Sequence, residues 1–342
     1  MSEKEKKQRT VRLPNVFEAL LPIVVMLGLM LYHFMAGTSY GDAHMPLLVS
    51  IVVACIIGCI CGHSFSDMMA GMLDCLNRTM EAILILCTVG ILVASFIMSG
   101  TIPALIYYGL DLLTPKLFLP VGCILCAVVG LACGSSWTTT ATIGIAFMGI
   151  GAGLGMPVAL TAGMIISGAY VGDKFSPLSD TTNLAAAVSE TGLFDHVTAM
   201  VSTTAPTFVI ALVLYTIIGF GYSTTGYDNT VALELQQALA GGYNLNPVLL
   251  LPIVVVVVVC VLKLPALPGL AISVGCGVLF GAVFQGITNV SDIFNILHYG
   301  TTFESSNELA NNLLSRGGMD HQMWTINLIL LAVAYGGALE RC

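Results

Sequence analysis

The chain has 342 residues, of which 57% are hydrophobic and only 9% charged, and its mean hydropathy is +0.94. An ordinary soluble domain carries about a quarter charged residues, so a water-soluble fold is excluded. Five of the eleven Lys and Arg fall in the first twelve residues (Lys4, Lys6, Lys7, Arg9, Arg12), which leaves no basic surface for nucleic acid, and the net charge of −8 comes from scattered acids rather than an acidic tail.

Leu13–Met35 is longer than the ~7–15-residue apolar core of a signal peptide, so it reads as a retained first span. The basic cluster before it keeps the N-terminus in the cytoplasm of a multi-pass protein of the cytoplasmic membrane. Further apolar runs, each near the ~20 residues needed to cross a bilayer, occupy 46–62, 82–99, 117–133, 198–220, 247–262 and 265–284, and a last one starts near Met323. That last run reaches Cys342 without a polar tail, so the chain is expected to stop inside or just beyond a span. No stretch is long enough for a separate soluble domain, and 1–342 reads as one multi-span domain.

Between the second and third spans, Phe65, Met68, Met69, Met72, Leu73, Leu76 and Met80 recur at helical spacing, opposite Asp67, Asp74 and Glu81. The pattern predicts an amphipathic helix lying in the membrane interface. A shorter one is predicted at Val290, Ile293, Phe294 and Leu297, and 221–246 and 300–322 read as polar loops. Cys123 and Cys126 form C-x-x-C inside an apolar run, with no basic or polar neighbour to make a thiolate, so a redox or metal role is not expected.

The informative stretch is 130–195. Seven glycines between Gly130 and Gly155 disfavour one continuous helix there, and Ser135–Thr142 places six hydroxyls in eight residues. Pro157–Val171 reaches only about 22 Å as a helix, short of the ~30 Å hydrocarbon core, so it is expected to end within the membrane. Gly172 and Pro177 then read as helix breakers in a segment rich in oxygen-bearing side chains. Non-helical backbone at membrane depth is tolerated where it is buried or lines a cavity, and interrupted segments point to transporter binding sites.

Two carboxylates stand in this segment. A small hard cation takes oxygen ligands, and Ser176, Ser179, Asp180, Thr181 and Asn183 offer that set, with no soft-metal ligand among them. Burial disfavours a charged carboxylate, which lets protons compete with Na+ for the same oxygens, so one acid suffices for exchange. Asp180, surrounded by hydroxyls, is the first candidate for Na+; Asp173, followed by Lys174, is the second; the Ser135–Thr142 cluster, with Thr138 and Thr139 as its named candidates, could complete the shell, although membrane hydroxyls often bond only to nearby backbone. Trp137 reads as support for the hydroxyl cluster or as a packing anchor. An intramembrane enzyme is not expected: the histidines lie mostly beside loops, and Asp173 and Asp180 sit seven apart on one proline-containing segment rather than facing each other. A channel would need a continuous polar pore, where this sequence shows local breaks.

Gly134-Ser-Ser-Trp-Thr-Thr-Thr-Ala-Thr-Ile-Gly144, Gly149-Ile-Gly151 and above all Gly168-Ala-Tyr-Val-Gly-Asp-Lys-Phe-Ser-Pro-Leu-Ser-Asp-Thr-Thr-Asn-Leu-Ala185 resemble the NhaC family of sodium/proton antiporters, with support from Gly100–Gly109 and Leu314–Gly318. That family includes exchangers coupling Na+ and H+ to malate and lactate. The resemblance implies an all-α polytopic fold with interrupted helices and ion-transporter-type inverted repeats, its second half shortened here. Asp180, Ser179, Thr181 and Asn183 fall on the family's polar signature and Asp173 on its Gly-Asp-Lys element. Phe303–Ala310 is only loosely similar to Phe175–Ala185 and is not counted as the second break. The expected function is exchange of Na+ for H+ by alternating access; the alternative is Na+- and H+-coupled exchange of a small carboxylate, for which Lys174 is the cation at hand. Expected partners are Na+, H+ and membrane lipid, with no cofactor and no nucleic acid, and a homo-oligomer is left open.

Overall fold

The computed structural model describes residues 11–37, 43–176, 179, 181–182, 185–186, 189, 191–222, 230–262 and 264–341. In chain order the helices are α1 (Val16–Met35), α2 (His44–Ile60), α3 (Phe65–Met98), α4 (Thr101–Leu112), α5 (Pro115–Cys133), α6 (Ser136–Thr139), a π turn (Thr140–Gly144), α7 (Ile145–Gly153), α8 (Val158–Phe175), α9 (Leu193–Tyr222), α10 (Thr230–Gly242), α11 (Leu251–Val261), α12 (Ala266–Phe284), α13 (Val290–Tyr299), α14 (Glu308–Leu314) and α15 (Met323–Arg341). Among the described residues there is no strand. Every apolar run read from the sequence is helical.

Among the described residues, five helical segments are long and apolar enough to span a membrane: Val16–Met35, Phe65–Met98, Leu193–Tyr222, Leu267–Phe284 and Asp320–Arg341. Thr230–Gly242 and Pro247–Val259, bent by 98° at their break, would together make a sixth, while His44–Ile60 and Pro115–Leu131 are shorter apolar helices. The outward faces carry the signature of lipid contact. On α9, Val209, Ile210, Val213, Leu214 and Ile217 are all exposed, whereas Ser99, Thr101, Ser176 and Ser179 are fully buried. Apolar surface of that extent is not left facing water. The protein is a multi-pass membrane protein.

Two compact units divide the chain, 1–86 with 322–342 and 87–321. In the first, α2, the start of α3 and α15 bury Leu47, Ile51, Ala54, Cys55, Met68, Met72, Tyr335 and Ala338 against one another. Its N-terminal segment is pinned where the Arg12 amide donates to the Cys61 carbonyl at 2.9 Å, while the Arg12 guanidinium pairs with Glu18 at 2.6 Å. That pairing raises the Arg12 side chain above its ordinary range.

The amphipathic stretch beginning at Phe65 is not a separate interfacial helix. It is the first half of the 34-residue α3, because no Gly or Pro stands between Met80 and the apolar run that follows. The expected loops also hold helices. Thr230–Gly242 buries Ala232, Leu235 and Leu239, and Asn307 caps Glu308–Leu314 by accepting the Ala310 amide. Val290–Tyr299 forms as its pattern predicts.

In the second unit, α5 and α8 lie face to face with glycines at the seam. A Cβ on Gly168 would stand 2.3 Å from the Cys123 carbonyl oxygen, and one on Gly130 would stand 2.8 Å from the Ala169 carbonyl oxygen. The glycine-rich window breaks where expected: α5 ends at Gly134 in the left-handed conformation (φ 62°), and α7 ends before Gly155 (φ 69°).

Candidate functional site

Between these ends runs the hydroxyl cluster. Ser135 caps α6 by accepting the Thr138 amide at 3.2 Å, and its hydroxyl also receives that of Thr138 at 3.1 Å. Thr139 donates to the Ser135 carbonyl (2.9 Å), Thr140 to that of Ser136 (2.8 Å) and Thr142 to that of Thr138 (2.7 Å). Threonine hydroxyls returned to carbonyls four residues back loosen a helix, and here the ladder widens into the π turn at Thr140–Gly144, a deviation often found at functional sites. Thr138 and Thr139 thus turn to their own helix, and neither hydroxyl bonds to a carboxylate.

Ser136 is the exception. Ser135 meets the capping requirement, so Ser136 is free to turn away, and its hydroxyl donates to Asp173 Oδ2 at 2.9 Å. Asp173 stands in the last turn of α8, only 7% exposed, and its Oδ1 has no hydrogen-bond partner among the described residues. Gly172, read from sequence as a helix breaker, does not break α8; the helix runs through it to Phe175. The glycine instead lets α8 press against the backbone of α5, where a Cβ would stand 2.6 Å from the Leu131 amide nitrogen.

After Phe175 the chain unwinds at Ser176 and Ser179, and it is helical again at Thr181, Thr182, Ala185 and Ala186, so the break is shorter than the sequence suggested. The Ser176 amide donates to the Asp173 carbonyl at 3.1 Å and that of Ser179 to the Ser176 carbonyl at 3.2 Å. Ser179 and Thr181 share a hydroxyl hydrogen bond at 2.9 Å, and Thr182 donates to the carbonyls of Lys174 (3.3 Å) and Asp173 (3.4 Å). Ser176, Ser179 and Thr182 are buried and Thr181 is exposed. Asp180, Asn183 and Pro177 lie outside the described residues.

The electrostatics favour a cation. A carboxylate in the last turn of α8 faces the negative end of the helix dipole, where the carbonyls of the final turn also lie. Lys174 is exposed, and among the described residues the one ion pair is Arg12–Glu18, so a lysine bridge to Asp173 is not formed. A buried acid oxygen without a donor costs free energy that a bound proton or metal ion recovers. Ser136 and Thr182 both lie in the hydroxyl-rich stretches that the sequence marks, but the sequence does not single out Ser136 as the partner of Asp173. The doubled serine after Gly134 is a usable signal for it, since one serine caps the helix and the other is left over. Trp137 does not pack inside: it is 54% exposed and lines, with Ser136, Thr140, Ile166 and Tyr170, a cavity of about 310 Å³.

A polytopic helical protein with an acid and a hydroxyl-rich break buried beside a close helix pair belongs to the class of membrane transporters. The Na+/H+ antiporter family model matches residues 168–342, the half that carries Asp173 and the unwound segment. The chain is 36% identical over 335 residues to the malate-2H+/Na+-lactate antiporter of Bacillus subtilis, covering 97% of this chain and 70% of that protein. It is 36% identical over 300 residues to the Na+/H+ antiporter NhaC of Alkalihalophilus pseudofirmus (88% and 64%) and 40% identical over 331 residues to the arginine/ornithine antiporter ArcD of Halobacterium salinarum (96% and 67%). The chain therefore belongs to the Na+/H+ antiporter family, as its motifs implied, and is a transporter rather than an enzyme. It spans roughly two thirds of the length of these relatives. No solved structure matches the chain.

Proposed function

We propose that the chain exchanges Na+ for H+ across the cytoplasmic membrane by alternating access, and that Asp173 is a carboxylate for which the two ions compete. The observation that carries this reading is the buried Asp173, held through Oδ2 by Ser136 and open at Oδ1. With a proton on the acid the site is neutral. With Na+ in its place the charge is again balanced, and the hydroxyls of Ser136, Ser176 and Ser179 supply oxygens of the kind a hard cation takes. Asp180, seven residues on, with Thr181 and Asn183, is proposed to complete the shell, while Thr138 and Thr139, whose hydroxyls bond within their own turn, hold the backbone that presents Ser136. The cycle uses the transported ions alone. The basic N-terminal cluster supports a cytoplasmic N-terminus by the positive-inside rule, with membrane lipid proposed around the apolar faces.

The test is the full chain in sealed vesicles with an inward Na+ gradient and a trapped pH dye. The lumen is expected to become alkaline as Na+ enters and H+ leaves, and Asp173→Asn is expected to abolish the change. Exchange at the normal rate in Asp173→Asn would move the role away from this carboxylate. A second reading, coupled exchange of a small carboxylate, is favoured by the exposed Lys174 one residue beyond Asp173 and by the kinship to the malate/lactate antiporter. Na+-dependent uptake of labelled malate or lactate separates the two.

A further inference from the structure

The cavity beside the acid has a construction that ion exchange alone does not call for. Its lining comes from two segments: Ser136, Trp137 and Thr140 from one, and Ile166 and Tyr170, one turn apart on α8, from the other. At about 310 Å³ it lies at the lower end of the ~300–1,000 Å³ range of small-molecule pockets. Its lining is mainly apolar and aromatic, and the Thr140 hydroxyl is already committed to the Ser136 carbonyl. Ser136 alone couples it to charge: the same residue lines the cavity and donates to Asp173. Ile166, Tyr170 and Asp173 are spaced i, i+4, i+7 on α8, and Asp173 itself is not part of the lining but is reached through Ser136.

A bare Na+ gains little from indole, phenol and isoleucine surfaces, and a neutral apolar molecule makes no use of the acid. A compound with an apolar body and a cationic head uses both. Trp and Tyr faces attract an ammonium group through their ring quadrupoles, and the negative charge beyond Ser136 fixes which end goes inward. Resting on the reading of Asp173 as the cation-binding acid, we propose that this cavity is a subsite for an organic cation, a primary ammonium or guanidinium on a small apolar body, whose occupancy excludes Na+ from Asp173.

The chain has two tryptophans, and Trp137 lines the cavity, so its emission reports occupancy directly. In the purified full chain in detergent, benzylammonium is expected to change tryptophan emission saturably, in wild type and in Trp324→Phe but not in Trp137→Phe. Na+ is expected to raise the half-saturating benzylammonium concentration at least five-fold, and Asp173→Asn to raise it about ten-fold. Neutral benzyl alcohol is expected to give no saturable change. An equal response to benzyl alcohol, a response indifferent to Na+, or one that persists in Trp137→Phe would overturn the proposal. Should Trp137→Phe not fold, Trp324→Phe leaves Trp137 as sole reporter and carries the same three comparisons. The two readings fail separately. Exchange surviving in Asp173→Asn removes the role of the acid, whereas an Na+-indifferent Trp137 response in a protein whose exchange needs Asp173 removes the subsite alone.

Discussion

Gly172 lies so close to Ala127 that a Cβ on the glycine would stand 2.2 Å from the Ala127 carbonyl oxygen. The obstacle is backbone, which no rotamer change removes, and the next residue along α8 is Asp173. Gly172→Ala is therefore expected to force α8 away from α5. Overpacking of this kind costs about 1–3 kcal/mol, and the acid moves with its helix. Thermal unfolding in detergent should show the lower stability and vesicle assays the loss of Na+-driven proton movement. Gly163→Ala, on the same helix, is the control. Its Cβ would meet nothing nearer than the Tyr215 hydroxyl at 3.5 Å, so unfolding at or above the wild-type temperature is expected.

Ser136→Ala removes the hydroxyl donated to Asp173 Oδ2 and little else, since the hydroxyl has no second partner among the bonds described. A hydrogen bond to a charged group contributes about 1.5–3 kcal/mol. The Na+ concentration for half-maximal exchange is expected to rise about ten-fold or more, and Ser136→Thr should restore most of it. Thr139→Val tests the contrast. Its hydroxyl goes to the Ser135 carbonyl, so a shift much smaller than that of Ser136→Ala is expected in the same Na+ titration.

What could be read in the sequence, and what could not, follows from the range of the interactions involved. Helical existence was legible because it depends on local pattern: Met68 and Met72, placed on the apolar face by spacing alone, are buried in the first unit. Lengths were harder. Nothing between Met80 and Ala82 marks a boundary, yet a charged Glu81 beside an apolar run invites one. In 221–246 the buried Ala232, Leu235 and Leu239 follow i, i+3, i+7, but Gln236 and Gln237 mask the period. At the site, Asp173 was visible as an acid in an apolar context. Its donor was not, because Ser136 is 37 positions away and meets it only through packing of α6 and α8. Gly172 shows the same limit from the other side: propensity counts a glycine against a helix, while the neighbouring backbone requires one.

Gln285 ties three chain segments of the second unit. Its amide donates to the carbonyls of Ser99 (3.2 Å) and Asn244 (3.4 Å), and its oxygen accepts the Asn244 amide (3.1 Å). The Ser99 carbonyl belongs to the break between α3 and α4, where Gly100 takes φ +82°. Gln285→Ala is expected to lower stability by about 1–2 kcal/mol, because water replaces part of what is lost. Gln285→Glu should cost more than Ala, since it sets a second acceptor against the Ser99 carbonyl. Thermal unfolding of the two variants in parallel checks the order, and greater stability in the Glu variant would show that the amide donors are not what holds the break.

The unwound segment after α8 makes the most direct distinction between a buried ion site and a surface connector. Ser176 and Ser179 are fully buried and Thr182 is 3% exposed, while Thr191, beyond the segment, is exposed. In a background lacking reactive native cysteines, Ser176→Cys, Ser179→Cys and Thr182→Cys are expected to react with a water-soluble thiol reagent at least ten-fold more slowly than Thr191→Cys. The backbone at Ser176 and Ser179 is not helical, and such backbone survives at membrane depth only when protein encloses it or it lines a cavity, so slow labelling is what an enclosed segment requires. Na+ is expected to slow Ser176→Cys and Ser179→Cys further, because an ion held by Asp173 and its neighbours closes the space the reagent must enter, and to leave Thr191→Cys unchanged. Uniform fast labelling along the segment would make it an open loop, and the enclosed ion site proposed at Asp173 would be lost.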